Sequence, residues 1–235
     1  MSINRDQYFN FFCPPPVSVT HWDGDCEYIE SVIKESMFKR TESNSISLDR
    51  RVLDNPSLVD LKSFIHAFVQ RYTEKVFRTN QKIKLLQSWA NIENNGDCHP
   101  VHFHPNSYMS GVIFVKSAPD SPPLILENPF RPYQLSVDLF NGVNPDLPPN
   151  ELSDCSRNMS EIPPIPGNIV IFPSLTPHRV PRSNGGERIT IAFNSYPELP
   201  FGSEEDVTQV FYLDIGFLCA IIPLLNRRVQ RGVTE

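Results

Sequence analysis

The residues best suited to chemistry stand together in Cys98-His99-Pro100-Val101-His102-Phe103-His104-Pro105. Three of the six histidines in the chain fall within six residues there, and a fourth, His178, follows His104 by 74 residues. On an extended strand His102 and His104 point to one face, because side chains alternate with a period of two. Two imidazoles on one face can grip a single ion. A third ligand from a distant strand, His178, completes a facial set and leaves positions open for substrate and O2. Neutral imidazole serves iron, zinc, copper and nickel alike, so ligand type does not choose the metal. The alternative is a group of surface and core histidines with no shared task. His99, three residues from His102, belongs on the opposite face and reads as a surface residue or a support for the ligands.

Arg188 is the second chemical feature. It lies ten residues after His178, across the turn signal Asn184-Gly185-Gly186. If 169–178 and 188–194 are antiparallel neighbours, both side chains face one interior. A guanidinium buried there requires an anionic partner, and its planar fork fits a carboxylate in bidentate fashion. The pair therefore predicts a metal-bound co-substrate with a remote carboxylate. The competing expectation is a surface arginine paired with Glu187 or a neighbouring acid.

Such side chains need a rigid frame. Strands are expected at Lys84–Asn91, within His102–Lys116, at Leu124–Leu126, at Asn168–Phe172 and at Arg188–Asn194, separated by turn signals, as in a sandwich or barrel. A helix is predicted over 55–77: Asn55 caps it, Pro56 sits at its first position, and Leu58, Leu61, Phe64, Ile65, Phe68, Val69, Tyr72 and Val76 make one face. That face needs a large flat partner, and a sheet supplies one. A second helix is expected over 27–38. Residues 40–50 read as a polar loop, and 128–160 as a long loop that forms a lid or a substrate-binding wall. The expected organisation is a helical or mixed segment over 1–82 packing on the core sheet, a β core over 83–200, and a helical extension over 201–235.

The chain has 235 residues, of which 40% are hydrophobic and 20% charged, enough for a real core. Its 23 prolines favour bounded strands and rigid loops over long helices. A net charge of −6 argues against a general phosphate-backbone binder, so no nucleic-acid partner is expected. Five cysteines without a C-x-x-C suggest reduced thiols in a cytoplasmic compartment. The N-terminal residues lack a signal-peptide pattern. The apolar run Val210–Leu225 is interrupted by Asp214 and Pro223, and reads as a buried or docking helix rather than a membrane span.

The series His-x-His-Pro, then Ser-Gly-Val, Pro-Gly-Asn-Ile-Val-Ile-Phe-Pro-Ser, Pro-His-Arg-Val-Pro and Glu-Arg-Ile-Thr-Ile-Ala-Phe-Asn resembles the 2-oxoglutarate and Fe(II)-dependent oxygenases over about 86–195. More narrowly, it resembles an oxygenase group of marine bacteria and their phages. The resemblance implies a double-stranded β-helix, a distorted jelly roll, with helices on the outer face of its major sheet. It implies Fe(II) and 2-oxoglutarate as cofactors, O2 as a reactant, and succinate, CO2 and a hydroxylated substrate as products. His102 and His178 match the family's histidine ligands, and Arg188 matches the residue that holds the far carboxylate of 2-oxoglutarate. Ser110 and Thr190 fall on inward strands as further co-substrate contacts. Asn91 either hydrogen-bonds the metal-proximal carboxylate of the co-substrate or serves sheet packing, as Trp89 does. Most members carry an acid where this chain has His104, so His104 is expected as the third ligand, the other possibility being a vacant position. Asp97 and Glu93 have the wrong spacing from His102 to replace that acid. Two other classes compete: a cupin-like metalloenzyme without 2-oxoglutarate, which three-histidine ligation favours, and a non-catalytic jelly-roll binding protein. The prime substrate is not legible; the suggestion of a protein or peptide side chain rests on similarity to aspartyl and prolyl hydroxylases.

Overall fold

A computed structural model of the chain describes residues 16–129, 159–200 and 202. The chain divides into two compact units, Met1–Tyr196 and Pro197–Glu235, and the architecture that follows is that of the first. Its strands, in chain order, are β1 (Ser18–His21), β2 (Phe38–Arg40), β3 (Ser45–Ser47), β4 (Ile83–Glu93), β5 (His99–His102), β6 (Met109–Lys116), β7 (Leu124–Glu127), β8 (Met159–Ile162), β9 (Asn168–Pro173), β10 (His178–Val180) and β11 (Arg188–Pro197). The helices are α1 (Cys26–Lys34) and α2 (Val59–Phe77). A seven-stranded sheet has the order β1-β9-β6-β11-β4-β3-β2, and a four-stranded sheet the order β5-β10-β7-β8. Two antiparallel sheets with helices on one side agree with the expected double-stranded β-helix.

Period-two alternation builds two cores from the same strands. Ile113 and Val115 of β6, Ile169 and Ile171 of β9, and Ile189, Ile191 and Phe193 of β11 turn outward. There they bury against Ile29 and Ile33 of α1 and against Leu61, Ile65, Phe68, Val69 and Tyr72 of α2. Phe114, Val170 and Phe172 turn inward and meet Leu124, Leu126 and Val180 of the smaller sheet. On β11 the inward set is Arg188, Thr190, Ala192 and Asn194. This is how one strand carries both core and chemistry.

The helices begin where capping chemistry puts them. Asp25 accepts from the Tyr28 amide at 2.9 Å and starts α1. Asn55 accepts from the Ser57 amide at 3.0 Å and opens a 3-10 turn over Pro56–Leu58 that leads into α2. The predicted helix over 55–77 thus starts with one tighter turn, and the one expected over 27–38 ends at Lys34.

Three expectations need correction. Residues 40–50 are not a loop: β2 and β3 form a hairpin that extends the large sheet, closed by Thr41, whose amide donates to the Asn44 carbonyl at 2.8 Å. Its polarity is that of an edge, where Lys39 and Arg40 are exposed. The strand after His99 stops at His102, so His104 is not on it. And 169–178 does not pair with 188–194: β9 and β11 both flank β6 in the large sheet, while His178 opens β10 in the small one. The chain turns that corner at Pro173–Pro177, where the Thr176 amide donates to the Pro173 carbonyl at 2.9 Å. The run Val210–Leu225 and nearly all of the long loop expected over 128–160 lie outside the described residues. Among the described residues no helix is long and apolar enough to cross a membrane.

Candidate metal centre

β5 and β10 are antiparallel partners, with His102 opposite His178. Their rings lie 4.2 Å apart between centroids. His104 follows in the turn after β5, held by a hydrogen bond from its amide to the Ser174 carbonyl at 2.8 Å. Its ring sits 5.3 Å from that of His102 and 5.1 Å from that of His178. The structure so brings together the three expected ligands, and a donor nitrogen from each lies within 4.8 Å of the others.

Hydrogen bonding fixes two tautomers. His102 Nδ1–H donates to the Pro100 carbonyl at 2.8 Å, and His178 Nδ1–H to the Thr176 carbonyl at 2.9 Å. A carbonyl only accepts, so Nδ1 carries the proton in both and Nε2 keeps its lone pair. This is the arrangement by which proteins orient metal-binding imidazoles. His104 has the Asn194 side chain beside it and stacks on Trp89 at 5.6 Å, with 18° between the planes.

Burial keeps these rings neutral. Desolvation pushes His178 down to about 3, with further lowering from the neighbouring histidines. It pushes His104 down to about 4, against the Asn194 side chain, which holds it up. His102 is lowered by the same cause. Three neutral imidazoles with converging lone pairs are a donor set for a cation, and they fit a divalent ion such as iron.

His99 does not face away as expected; it lines the same cavity. It is nonetheless committed elsewhere. Its Nδ1–H donates to Glu93 Oε1 at 2.8 Å, and its Nε2 accepts from Asn44 Nδ2 at 3.2 Å. Both nitrogens are used, so neither is left for a metal. The reason is the bulge between His178 and Val180, which shifts the register opposite His99 and breaks strict alternation along β5.

Arg188 is buried at 2% exposure rather than placed at the surface. Glu187 instead meets Lys34 and Lys116, at 2.9 and 3.0 Å. Arg188 already has an anionic partner within the chain: Nη1 donates to Glu93 Oε2 at 2.5 Å, and Glu93 is 1% exposed. Burial works to raise the Glu93 carboxyl, but the hydrogen bond from His99 and the charge of Arg188 outweigh it and hold it below its ordinary value. The Arg188 guanidinium lies over the Phe114 ring at 5.3 Å, and its Nε is buried with no hydrogen-bond partner. An unmet buried donor costs roughly 1–3 kcal/mol, so this edge of the fork is suited to an acceptor from outside the chain. The carboxylate end of a keto acid fits it.

The remaining expected residues fall on the same interior. Asn91 Nδ2 donates to Thr190 Oγ1 at 3.5 Å, and Asn91 Oδ1 accepts from Asn44 at 3.1 Å. Ser110 Oγ donates to Asn194 Oδ1 at 2.7 Å and contacts Ser174 Oγ at 2.8 Å. Asn91, Thr190 and Ser110 line a cavity of about 500 Å³, its open mouth included, with the three histidines and Arg188. Glu93 as the partner of Arg188 is the residue that sequence reasoning missed. The signal was there: Trp89, Asn91 and Glu93 alternate along β4, so the face that carries Asn91 carries Glu93 too.

Residues 87–194 match the family described as "Putative 2OG-Fe(II) oxygenase". No curated protein matches the chain in sequence. Among solved structures, HygX from Streptomyces hygroscopicus, with nickel, 2-oxoglutarate and hygromycin B bound, superposes with a TM-score of 0.52 at 13% identity, covering 90% of this chain and 97% of that one. A Trichoplax adhaerens prolyl hydroxylase, in complex with a hypoxia inducible factor peptide fragment, gives 0.52 at 14% identity over 77% of this chain and 83% of that one. A Pseudomonas putida prolyl-4-hydroxylase gives 0.51 at 12% identity over 78% and 94%. At such identities these likenesses speak for the fold. The matched segment, the fold and the histidine cluster agree: over residues 87–194 the chain is similar to the 2-oxoglutarate and Fe(II)-dependent oxygenases.

Proposed function

We propose that His102, His104 and His178 hold Fe(II), that Arg188 takes the far carboxylate of 2-oxoglutarate, and that the chain hydroxylates an organic substrate docked at the cavity mouth. The observation that carries this reading is the convergence, in one cavity, of three neutral imidazoles with a buried guanidinium whose Nε lacks a partner. Bound Fe(II) and 2-oxoglutarate supply oxidative decarboxylation by O2, giving succinate and CO2, coupled to oxidation of a C–H bond.

The chain's own residues do the positioning. Pro100 and Thr176 set the tautomers of His102 and His178 through their carbonyls. Glu93 fixes Arg188 by one nitrogen and leaves another edge free. Asn91, Thr190 and Ser110 line the space between with polar groups, and Leu124, Phe172 and Val180 close it with an apolar wall that excludes water.

The substrate reading is a protein or peptide side chain, for which the prolyl hydroxylases among the structural neighbours give the support; HygX, crystallised with hygromycin B, shows the same fold holding a small molecule. The narrower likeness to the oxygenases of marine bacteria and phages belongs to this reading too. A cytoplasmic setting fits the free thiols of Cys26 and Cys98. The three-histidine donor set favours a second reading, a cupin-like metalloenzyme without 2-oxoglutarate.

One experiment separates the two. The protein is loaded anaerobically with Fe(II), 2-oxoglutarate is added, and the visible charge-transfer band of a chelated keto acid is recorded. The band is expected in the wild type, absent in His178→Ala, and reached only at much higher 2-oxoglutarate in Arg188→Ala. Iron binding without a band would promote the cupin reading.

A further inference from the structure

A histidine in place of an acid creates a geometric demand. A carboxylate offers two equivalent oxygens and tolerates rotation. An imidazole must present one particular nitrogen, so both its ring angle and its tautomer need a partner. His102 and His178 obtain this from carbonyls two residues before them. His104 lies beyond the end of β5 and has no such carbonyl bond among its described contacts.

What it has is a chain of hydrogen bonds through three other segments that ends at Asn194. The His104 amide donates to the Ser174 carbonyl at 2.8 Å. Ser174 Oγ meets Ser110 Oγ at 2.8 Å, Ser110 Oγ donates to Asn194 Oδ1 at 2.7 Å, and the Asn194 side chain stands beside the His104 ring, whose charged form it favours. Because the Ser110 proton goes to Asn194, Ser174 is the donor to Ser110, and the series has one direction. Asn194 Nδ2 is turned to Gln87 Oε1 at 3.4 Å, which leaves Oδ1 as the atom facing inward. Ser110, Ser174 and Asn194 are each 7% exposed or less. Trp89 stacked on the ring sets its plane.

We infer that Asn194, buttressed by Ser110 and Ser174, is a positioning residue that accepts the His104 ring proton and thereby aims the other ring nitrogen at the metal. The inference rests on the reading of His104 as a ligand. It assigns Ser110 to the metal site, through Asn194, rather than to the co-substrate alone.

The test is Co(II) affinity by titration of its visible bands, with no turnover involved. Loss of a residue that orients a ligand costs about 10–100-fold in metal affinity. Asn194→Leu is expected to weaken Co(II) binding about tenfold or more. Asn194→Asp keeps the acceptor, with the Gln87 amide free to turn and donate, and is expected to bind as well as wild type or better. His104→Ala weakens binding, and the double variant His104→Ala/Asn194→Leu is expected to be no weaker than His104→Ala, because Asn194 acts only through His104. Wild-type affinity in Asn194→Leu, additive losses in the double variant, or an Asn194→Asp as poor as Asn194→Leu would each overturn the inference while leaving His104 a ligand. Full affinity in His104→Ala would remove the ligand reading itself and the inference with it. Thermal melts of the metal-free variants check folding, and if Asn194→Leu does not fold, Asn194→Ser replaces it in the cycle.

Discussion

The three clustered histidines are costly to the folded chain in acid, and the sign follows from their environment. Desolvation places His178 at about 3 and His104 at about 4 in the folded state, while the unfolded chain has them near 6.5. Below about pH 6.5 the unfolded chain therefore binds protons that the folded one refuses, and stability falls as pH falls through that window. The carboxylates held low by basic partners, Asp97 by Arg40 and Glu30 by Lys116 and Lys34, act in the same direction but only below about pH 4.5. The two windows separate the causes. Metal-free protein is expected to melt lower at pH 5 than at pH 7.5, and His178→Gln should flatten that slope. A melting temperature constant from pH 7.5 to 5 would contradict neutral buried rings. Near neutral pH the same shifts mean that metal binding displaces few protons, which calorimetry in buffers of different ionisation enthalpy would show.

At the scale of elements, β6 and β11 carry Ser110, Arg188 and Thr190 on the large-sheet side of the cavity, and their close approach depends on Gly111. It is paired directly with Phe193. A Cβ there would lie 2.3 Å from Phe193 Cζ and 2.6 Å from the Val170 carbonyl oxygen of β9. The ring can rotate away, but the carbonyl belongs to the sheet and cannot. Gly111→Ala is expected to destabilise by roughly 1–3 kcal/mol, as overpacking does, and adding Phe193→Leu should recover only part of it; urea denaturation checks both. Alternation along these strands is open to sequence reading, so Arg188 and Thr190, two apart, share one face; that this face and that of Ser110 are the inward ones comes with the family resemblance. What periodicity does not report is which strand lies beside which. His178 and Arg188 are ten residues apart with a turn signal between them, and local reasoning pairs their segments as a hairpin. The corner at Pro173–Pro177 sends them to different sheets instead, where they face each other across the interior. His104 is a like case. The pattern His-x-His suggests one strand face, yet the strand stops and the Ser174 carbonyl holds the residue's backbone from outside. Glu93 was set aside because its spacing was tested only against His102, while its partner lies 95 residues away on β11.

For the first unit as a whole, the site sits where the two sheets are least able to hold themselves. The small sheet has strands of four, three, four and four residues, in the order β5-β10-β7-β8. Among the described residues its inner apolar contribution is Leu124, Leu126 and Val180, with Ile162 partly buried beside them, whereas the large sheet is backed by both helices and a much larger cluster. Local opening is therefore cheapest at β5 and β10. Two of the proposed ligands lie on that pair of strands. The third hangs from Ser174, which adjoins β9 of the large sheet, so a bound ion would tie the small sheet to the large one. Binding to the folded state alone stabilises by about 2.7 kcal/mol at a hundredfold excess over Kd. For a chain of this size that is roughly 5–10 °C in melting temperature, at about 2–4 °C per kcal/mol. Co(II) is expected to produce a rise of that order, and hydrogen exchange should slow most in 99–104 and 178–180 and little in α2. His104→Ala tests the tie itself: with the third ligand gone, any remaining metal is held by β5 and β10 alone. It should then protect those two strands against each other while losing most of the protection at 104 and the corner beside it. Equal protection of the corner in wild type and His104→Ala would show that metal binding stiffens the small sheet without joining the two.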